Sequence, residues 1–184
     1  MYRLYAVCLS IILTGCNLTS RHESTSEQLE EVATNKSLQE ITVLGDQYIH
    51  GGPGIEPDTA KGVRHIKYAA DRGHTPAICA LAGIYLNGLG VTKDVKRAQR
   101  LYTISANQGY GHAQFNLGVL LMDGREVSPD IESAYYYLSL AAKNKRDLGD
   151  MAQDAARLRD ICAGKLPKQR SRYIDANLLL QHSS

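Results

Sequence analysis

Four cysteines and six histidines are the side chains of this 184-residue chain best able to act as nucleophiles, bases or metal ligands. Their spacing supports none of these roles. His22, His50, His65, His74, His112 and His182 form no HxxxH or HExxH pair, the cysteines form no CxxC, and no carboxylate set of the kind a metal demands stands beside them. His74 and His112 precede two helices in adjacent loops and are read as solvated, with a mutual approach as the alternative. No G-x-S-x-G, phosphate loop or paired-carboxylate motif occurs. The expectation is no catalytic residue, no metal and no cofactor. Cys79 shares a periodic position with Val43 and Phe115, which makes it a small hydrophobe on a helix, and Cys162 falls on the apolar face of a later helix.

Composition narrows the class further. Hydrophobic residues make up 43% of the chain and charged ones 22%, enough for one domain or a short repeat array and too little chain for a large multidomain enzyme. A net charge of +2 gives no overall pull toward nucleic acid, and none is expected as a partner. The charge is nevertheless segregated. Residues 17–58 hold two basic and eight acidic side chains, whereas 143–172 hold nine basic and four acidic. The basic set is read either as the solvated face of end helices or as a contact for an acidic partner or anionic lipid.

The elements that position these side chains repeat. Asp58, Asp94 and Asp130 stand 36 residues apart, as do Gly62, Ala98 and Ala134, then Ala69, Ser105 and Ala141, then Ala70, Ala106 and Ala142. Leu44, Leu81 and Leu117 follow with spacings of 37 and 36, as do Gly51, Gly88 and Gly124; the extra residue falls in the loop Gly51-Gly52-Pro53-Gly54. Each column has a physical role. Glycine ends a first helix by entering the left-handed region, aspartate caps the start of a second, and small residues let the two lie close. One such hairpin cannot bury its apolar stripe alone, so the units must stack. The fold expected is an all-α solenoid of about three 36-residue hairpins. After Asp147 the columns fail, and Met151, Ala155, Leu158 and Cys162 line one face of a capping helix that Leu166-Pro167 ends before a last short helix.

The segment Leu81-Ala82-Gly83-Ile84-Tyr85-Leu86-Asn87-Gly88-Leu89-Gly90-Val91, with Asp94 to Ala98 and Ala106-Asn107-Gln108-Gly109, resembles the Sel-one-like repeat, a relative of the tetratricopeptide repeat. Asn116-Leu117-Gly118, Gly124, Asp130, Ala134 and Ala141-Ala142 carry the pattern into the third unit. Ala82 stands where the pattern has Gly, Gly62 where it has Ala, and Lys145 where it has a terminating Gly. The resemblance implies that the first helix of each unit lines a concave surface. Rotating that helix by about 100° per residue puts Leu81 and Tyr85 toward the second helix and Cys79, Gly83 and Leu86 nearly opposite. The equivalents are Phe115, Val119 and Met122 in the third unit and Val43, Asp46 and Ile49 in the first. This stripe, rimmed by His50, Asn87 and Asp123, is expected to be either a partner-binding groove or a surface covered by other helices of the chain; burial of Phe115 and Met122 would decide for cover.

The start of the chain carries a separate signal. Arg3 precedes an apolar run, Leu4 to Leu13, about half the length that spans a bilayer, and Leu13-Thr14-Gly15-Cys16 resembles the bacterial lipobox. That resemblance implies cleavage before Cys16 and its lipidation, and Asn17 implies onward sorting to the periplasmic face of the outer membrane. The organisation read from the sequence is therefore a leader over 1–15, Cys16 and a flexible tether to residue 25, an N-terminal helix over 26–40, repeats over 41–148 and capping helices over 149–184. The function expected is a non-catalytic, membrane-anchored scaffold binding another envelope protein or peptide. The alternatives are an immunity protein that neutralises a lipase-type toxin and, more remotely, an enzyme acting on cell wall or β-lactams.

Overall fold

A computed structural model describes residues 36–180, all of its regular structure helical. Cys16, the leader, the tether and the stretch 26–35 of the expected N-terminal helix lie outside the described residues. Six helices of 13 residues form three hairpins: α1 (Leu38–His50) with α2 (Thr59–Asp71), α3 (Thr75–Asn87) with α4 (Val95–Asn107), and α5 (Gly111–Asp123) with α6 (Ile131–Lys143). Hairpins stack through α2 on α3 and α4 on α5. A short α7 (Lys145–Leu148), then α8 (Met151–Lys165) and α9 (Lys168–Leu180), close the array, with α8 packed chiefly on α6. No described helix is long and apolar enough to cross a membrane.

The aspartate column does the same work three times. Asp58, Asp94 and Asp130 accept the backbone N–H of Lys61, Arg97 and Ser133 at 2.8, 2.9 and 3.0 Å, satisfying a donor at each second helix's start. Their own N–H groups donate back to the carbonyls of Tyr48, Tyr85 and Leu121 in the preceding helix, at 2.7, 2.9 and 3.0 Å. Each hairpin loop is thus held at its exit from both sides. Gly88 and Gly124, both at φ 70°, make the left-handed stop at its entrance.

Small residues set how close the two helices of a hairpin come. Ala98, Ala134, Ser105 and Ala141 are all fully buried. Gly62 departs from this column for a physical reason. A Cβ there would stand 2.6 Å from both the Gly45 carbonyl oxygen and the Ile49 side chain, so any side chain would have to push against the backbone of the facing helix. In the third hairpin Gly118 has the corresponding role, since a Cβ would meet Leu138 at 2.6 Å.

The structure departs from the sequence reading at Leu38 and Met151, and it shows what stands in for the glycine missing at Lys145. The first helix begins at Leu38, not after residue 40, because Ser37 and Glu40 form a capping box. The Ser37 N–H donates to the Glu40 carboxylate at 2.7 Å and the Glu40 N–H to the Ser37 hydroxyl at 3.2 Å. The Ser37 N–H, and the Ser37 hydroxyl at 2.9 Å, both donate to the Glu40 carboxylate and hold it below the usual range. Met151 is exposed at the start of α8, and Ala152 takes the buried place beside Ala155 and Cys162. At Lys145 the missing glycine is replaced by Asn144, which ends α6 and starts α7: its side-chain oxygen accepts from the Asp147 N–H at 3.3 Å, and its amide donates to the Gly109 carbonyl at 2.9 Å. Asp147 in turn accepts the Gly111 N–H at 2.9 Å, which caps α5 and holds its carboxyl below the usual range.

A cleft between the second and third repeats

One apolar core runs from Cys79 and Ala82 through Tyr102, Leu117 and Leu138 to Cys162, joining the second repeat, the third and the cap. Above it, between α3 and α5, lies an open cleft of about 460 Å³. Leu86, Phe115, Val119 and Leu120 give it an apolar lining, and Asn87, Asn116 and Asp123 border it from the same two helices. Lys93, Arg125 and Glu126 come from the loops that follow α3 and α5. The Lys93 ammonium meets the Glu126 carboxylate at 2.7 Å, tying the two loops together, and Arg125 meets Asp123 at 2.6 Å. These are exposed pairs worth little to stability, so they act as a hydrogen-bonding rim of balanced charge.

Tyr102, buried from α4, closes the bottom; its hydroxyl lies where a side chain on Gly83 would meet it at 3.4 Å. Burial raises its phenol pKa. Cys79 sits beneath the same floor, its sulfur 4.0 Å from the Asn116 side-chain amide. Burial pushes its thiol up to about 12, so it stays protonated and a poor nucleophile at neutral pH. Cys79 and Cys162 are both free. Among the described residues no group of three or more His, Cys, Asp or Glu stands together as a metal site would require. What the cleft can do is take up apolar side chains while its rim bonds a partner's polar groups.

Of the residues assigned to the stripe, the structure brings together Leu86, Asn87, Phe115, Val119 and Asp123. The others go elsewhere. Cys79 is 7% exposed and belongs to the core that also holds Tyr102 of α4 and Leu117 of α5, neighbours that a single-helix projection leaves out. Ile49 turns toward Gly62 and packs with Ile66, Leu81 and Ile84. Val43, 46% exposed, and His50, whose ring lies 3.1 Å from the Asp46 carboxylate, are on the outside of α1. Phe115 and Met122 are neither free nor covered: both are half-buried against the main core, and Phe115 also touches the cluster of Ala141, Leu148, Ala152 and Ala155. Sequence reasoning missed Lys93, Tyr102, Asn116, Leu120, Arg125 and Glu126. Projecting only the first helix of each unit left out the loops and the second helix, which supply four of these six.

His74 departs from the solvated reading given to it, and a second histidine, His65, is buried too. His65 is 3% exposed on α2, where its Nδ1–H donates to the Lys61 carbonyl at 2.8 Å and its ring packs 5.4 Å from that of Tyr48. His74 bridges the first two repeats. The Thr42 hydroxyl donates to the Leu38 carbonyl at 2.7 Å, and the tautomer that satisfies both bonds has the His74 Nδ1–H donating to the Thr42 oxygen at 2.8 Å. Desolvation lowers both pKa values below the usual 6.5. His112 packs instead on Tyr110, with ring centroids 5.4 Å apart.

Comparison with known proteins agrees with this architecture. The Sel1 repeat matches three consecutive segments, residues 43–74, 75–110 and 111–145. Among curated proteins, the chitin synthase regulator SKT5 of Saccharomyces cerevisiae is 28% identical over 117 residues, which are 62% of this chain and 17% of that protein. The protein sel-1 homolog 2 of Mus musculus is 39% identical over 64 residues, 34% of this chain and 9% of that protein. The chain thus spans only a small part of either relative. Among solved structures, a protective antigen of uropathogenic Escherichia coli strains displaying an SLR fold superposes with a TM-score of 0.58 at 27% identity, covering 73% of this chain and 32% of that one. A Sel1 repeat protein from Oxalobacter formigenes gives a TM-score of 0.56 at 29% identity, covering 64% of this chain and 88% of that one. With three matched repeats spanning more than half its length and hairpins stacked in register, the chain belongs to the Sel1 repeat family.

Proposed function

We propose that this chain is a non-catalytic scaffold that captures a protein or peptide partner in the cleft between α3 and α5, and that it does so while anchored by lipid on Cys16 to the periplasmic face of the outer membrane. The cleft carries the reading: an apolar floor of Leu86, Phe115 and Val119 inside a rim of opposed charges suits side-chain recognition. Membership of a family whose proteins are generally non-catalytic and bind other proteins supports the scaffold role. The anchor and the compartment rest on Arg3, the Leu4 to Leu13 run, Leu13-Thr14-Gly15-Cys16 and Asn17. The partner is another envelope protein or an exported peptide.

The test is crosslinking and pull-down from native membranes with identification by mass spectrometry, comparing wild type with Val119→Asp. A half-buried charge in the floor is expected to cost about 2 kcal/mol of binding, roughly a thirtyfold loss. Capture should fall accordingly while the thermal midpoint stays close to wild type. Undiminished capture removes the cleft from the interface. Labelled palmitate should be incorporated by wild type and not by Cys16→Ser; incorporation by both would refute the anchor.

A further inference from the structure

The second helix of each repeat presents the same line of positions, and the three repeats use it differently. In the third, Glu132, Tyr135 and Tyr136 stand on one side of α6, and α9 packs there: Arg170 pairs with Glu132, and the Tyr135 hydroxyl donates to the Asp175 carboxylate at 2.9 Å. Thirty-six residues earlier, these positions of α4 hold Lys96, Gln99 and Arg100, and those of α2, earlier again by the same step, hold Ala60, Val63 and Arg64. Lys67 continues the line one turn along α2. No described helix covers Arg64, Lys67, Lys96 or Arg100, and all four are exposed.

The cations continue to one side. Lys61 lies over the Tyr48 ring at 4.1 Å, Arg97 over Tyr85 at 4.3 Å and Arg72 over Tyr68 at 3.5 Å, so these three are already steadied. None of the cations named on α2 and α4 is within ion-pair distance of a described carboxylate. Asp58 and Asp94 are spent on the helix caps, which leaves Asp71, in the last turn of α2, as the carboxylate on these lines.

We infer that the outer faces of α2 and α4 form a docking surface for an acidic helix of a partner protein, whose carboxylates pair with Arg64, Lys67, Lys96 and Arg100. The third repeat shows that this side of the second helix accepts a helix through side-chain ion pairing, and the exchange of Glu132 for Lys96 reverses the charge the occupant must carry. A bilayer is the poorer fit. Ile104, 47% exposed, is the large hydrophobic side chain exposed on these two helices, enough for one apolar contact with a helix and little for a membrane to bury. The inference is independent of the cleft and of lipid on Cys16.

The experiment is fluorescence anisotropy of a labelled alanine-based helical peptide of about 20 residues with glutamates along one face, titrated with residues 17–184, which retain every described helix. Binding is expected, and should weaken as salt rises. Arg64→Glu with Arg100→Glu should reduce it about tenfold or more, with helicity and thermal midpoint unchanged. Arg64→Lys with Arg100→Lys should retain most of it. Lys168→Glu with Arg172→Glu, which alters net charge equally but on α9, should bind as wild type does. No binding, an equal loss in the α9 variant, or equally tight binding of unstructured polyglutamate would overturn the inference. Binding to phosphatidylglycerol vesicles without binding to the peptide would overturn it in favour of a membrane contact.

Discussion

The first hairpin and the third are built on the same 13-residue helices and the same aspartate cap, yet they are held together by different chemistry. In the third, the interior is mainly apolar: Leu117, Leu120, Leu121 and Leu138 join one core that extends into the second repeat and the cap, with Gln114 and Ser139 the buried polar side chains. In the first, the helices approach so closely, Gly45 against Gly62, that little side-chain volume fits between them, and the core divides into two small clusters. Both clusters reach the first helix of the second repeat, and polar groups add to them: His65, buried inside the hairpin against Tyr48, and His74, bonded to Thr42 across the joint. A shared backbone pattern therefore specifies geometry, while the residues inside it decide what stabilises each unit and under which conditions.

The largest expected effect falls on the apolar side of this contrast. Leu138→Ala, at a site with no exposure, should cost about 3 kcal/mol by lost burial and the cavity left behind, read as a lowered denaturant midpoint. A loss below ~1 kcal/mol would mean that the third hairpin does not depend on its continuous core. Gly62→Ala tests the other side. Although alanine is the better helix former, its Cβ has no room against the Gly45 carbonyl, and a net loss of about 1–2 kcal/mol is expected. The same substitution would be stabilising if the helices could part without cost.

The smallest effect is the most discriminating. His65 and His74 have folded pKa values below 6.5, so the unfolded chain binds more protons as pH falls through that region. Their contribution is fully present above pH 6.5 and is lost as pH drops from there toward the folded values. Hydrogen exchange should accordingly show α1, α2 and the start of α3 losing protection on acidification from pH 7.5 to 5.5 before α5 and α6 do. Simultaneous loss in both hairpins would erase the distinction between them.

Much of this architecture is legible in the sequence because its determinants are local. Asp94 caps α4 and Gly88 stops α3 through atoms a few residues away, so a column of such residues reports the hairpin directly. The Ser37-x-x-Glu40 box belongs to the same class and was readable, though overlooked. The burial of Cys79 was not readable in this way. Whether one face of α3 is open depends on where α5 lies, and that distance is set between units rather than within one. His65 shows a limit inside one unit, since its place is set by Tyr48 of the facing helix, with ring centroids 5.4 Å apart, and not by its neighbours in sequence. The cleft is half legible for this reason: its helical lining follows the repeat, and its loop-borne rim does not.

Because each aspartate ties the end of a hairpin loop to the helix on either side, the exposed residues between the glycine and the aspartate carry little structural duty, while Val91 and Val127 from the same intervals pack on the core. Lys93, Arg125 and Glu126 all fall in those intervals. Lineages could rewrite them freely, altering which molecules are accepted without disturbing the framework that presents them.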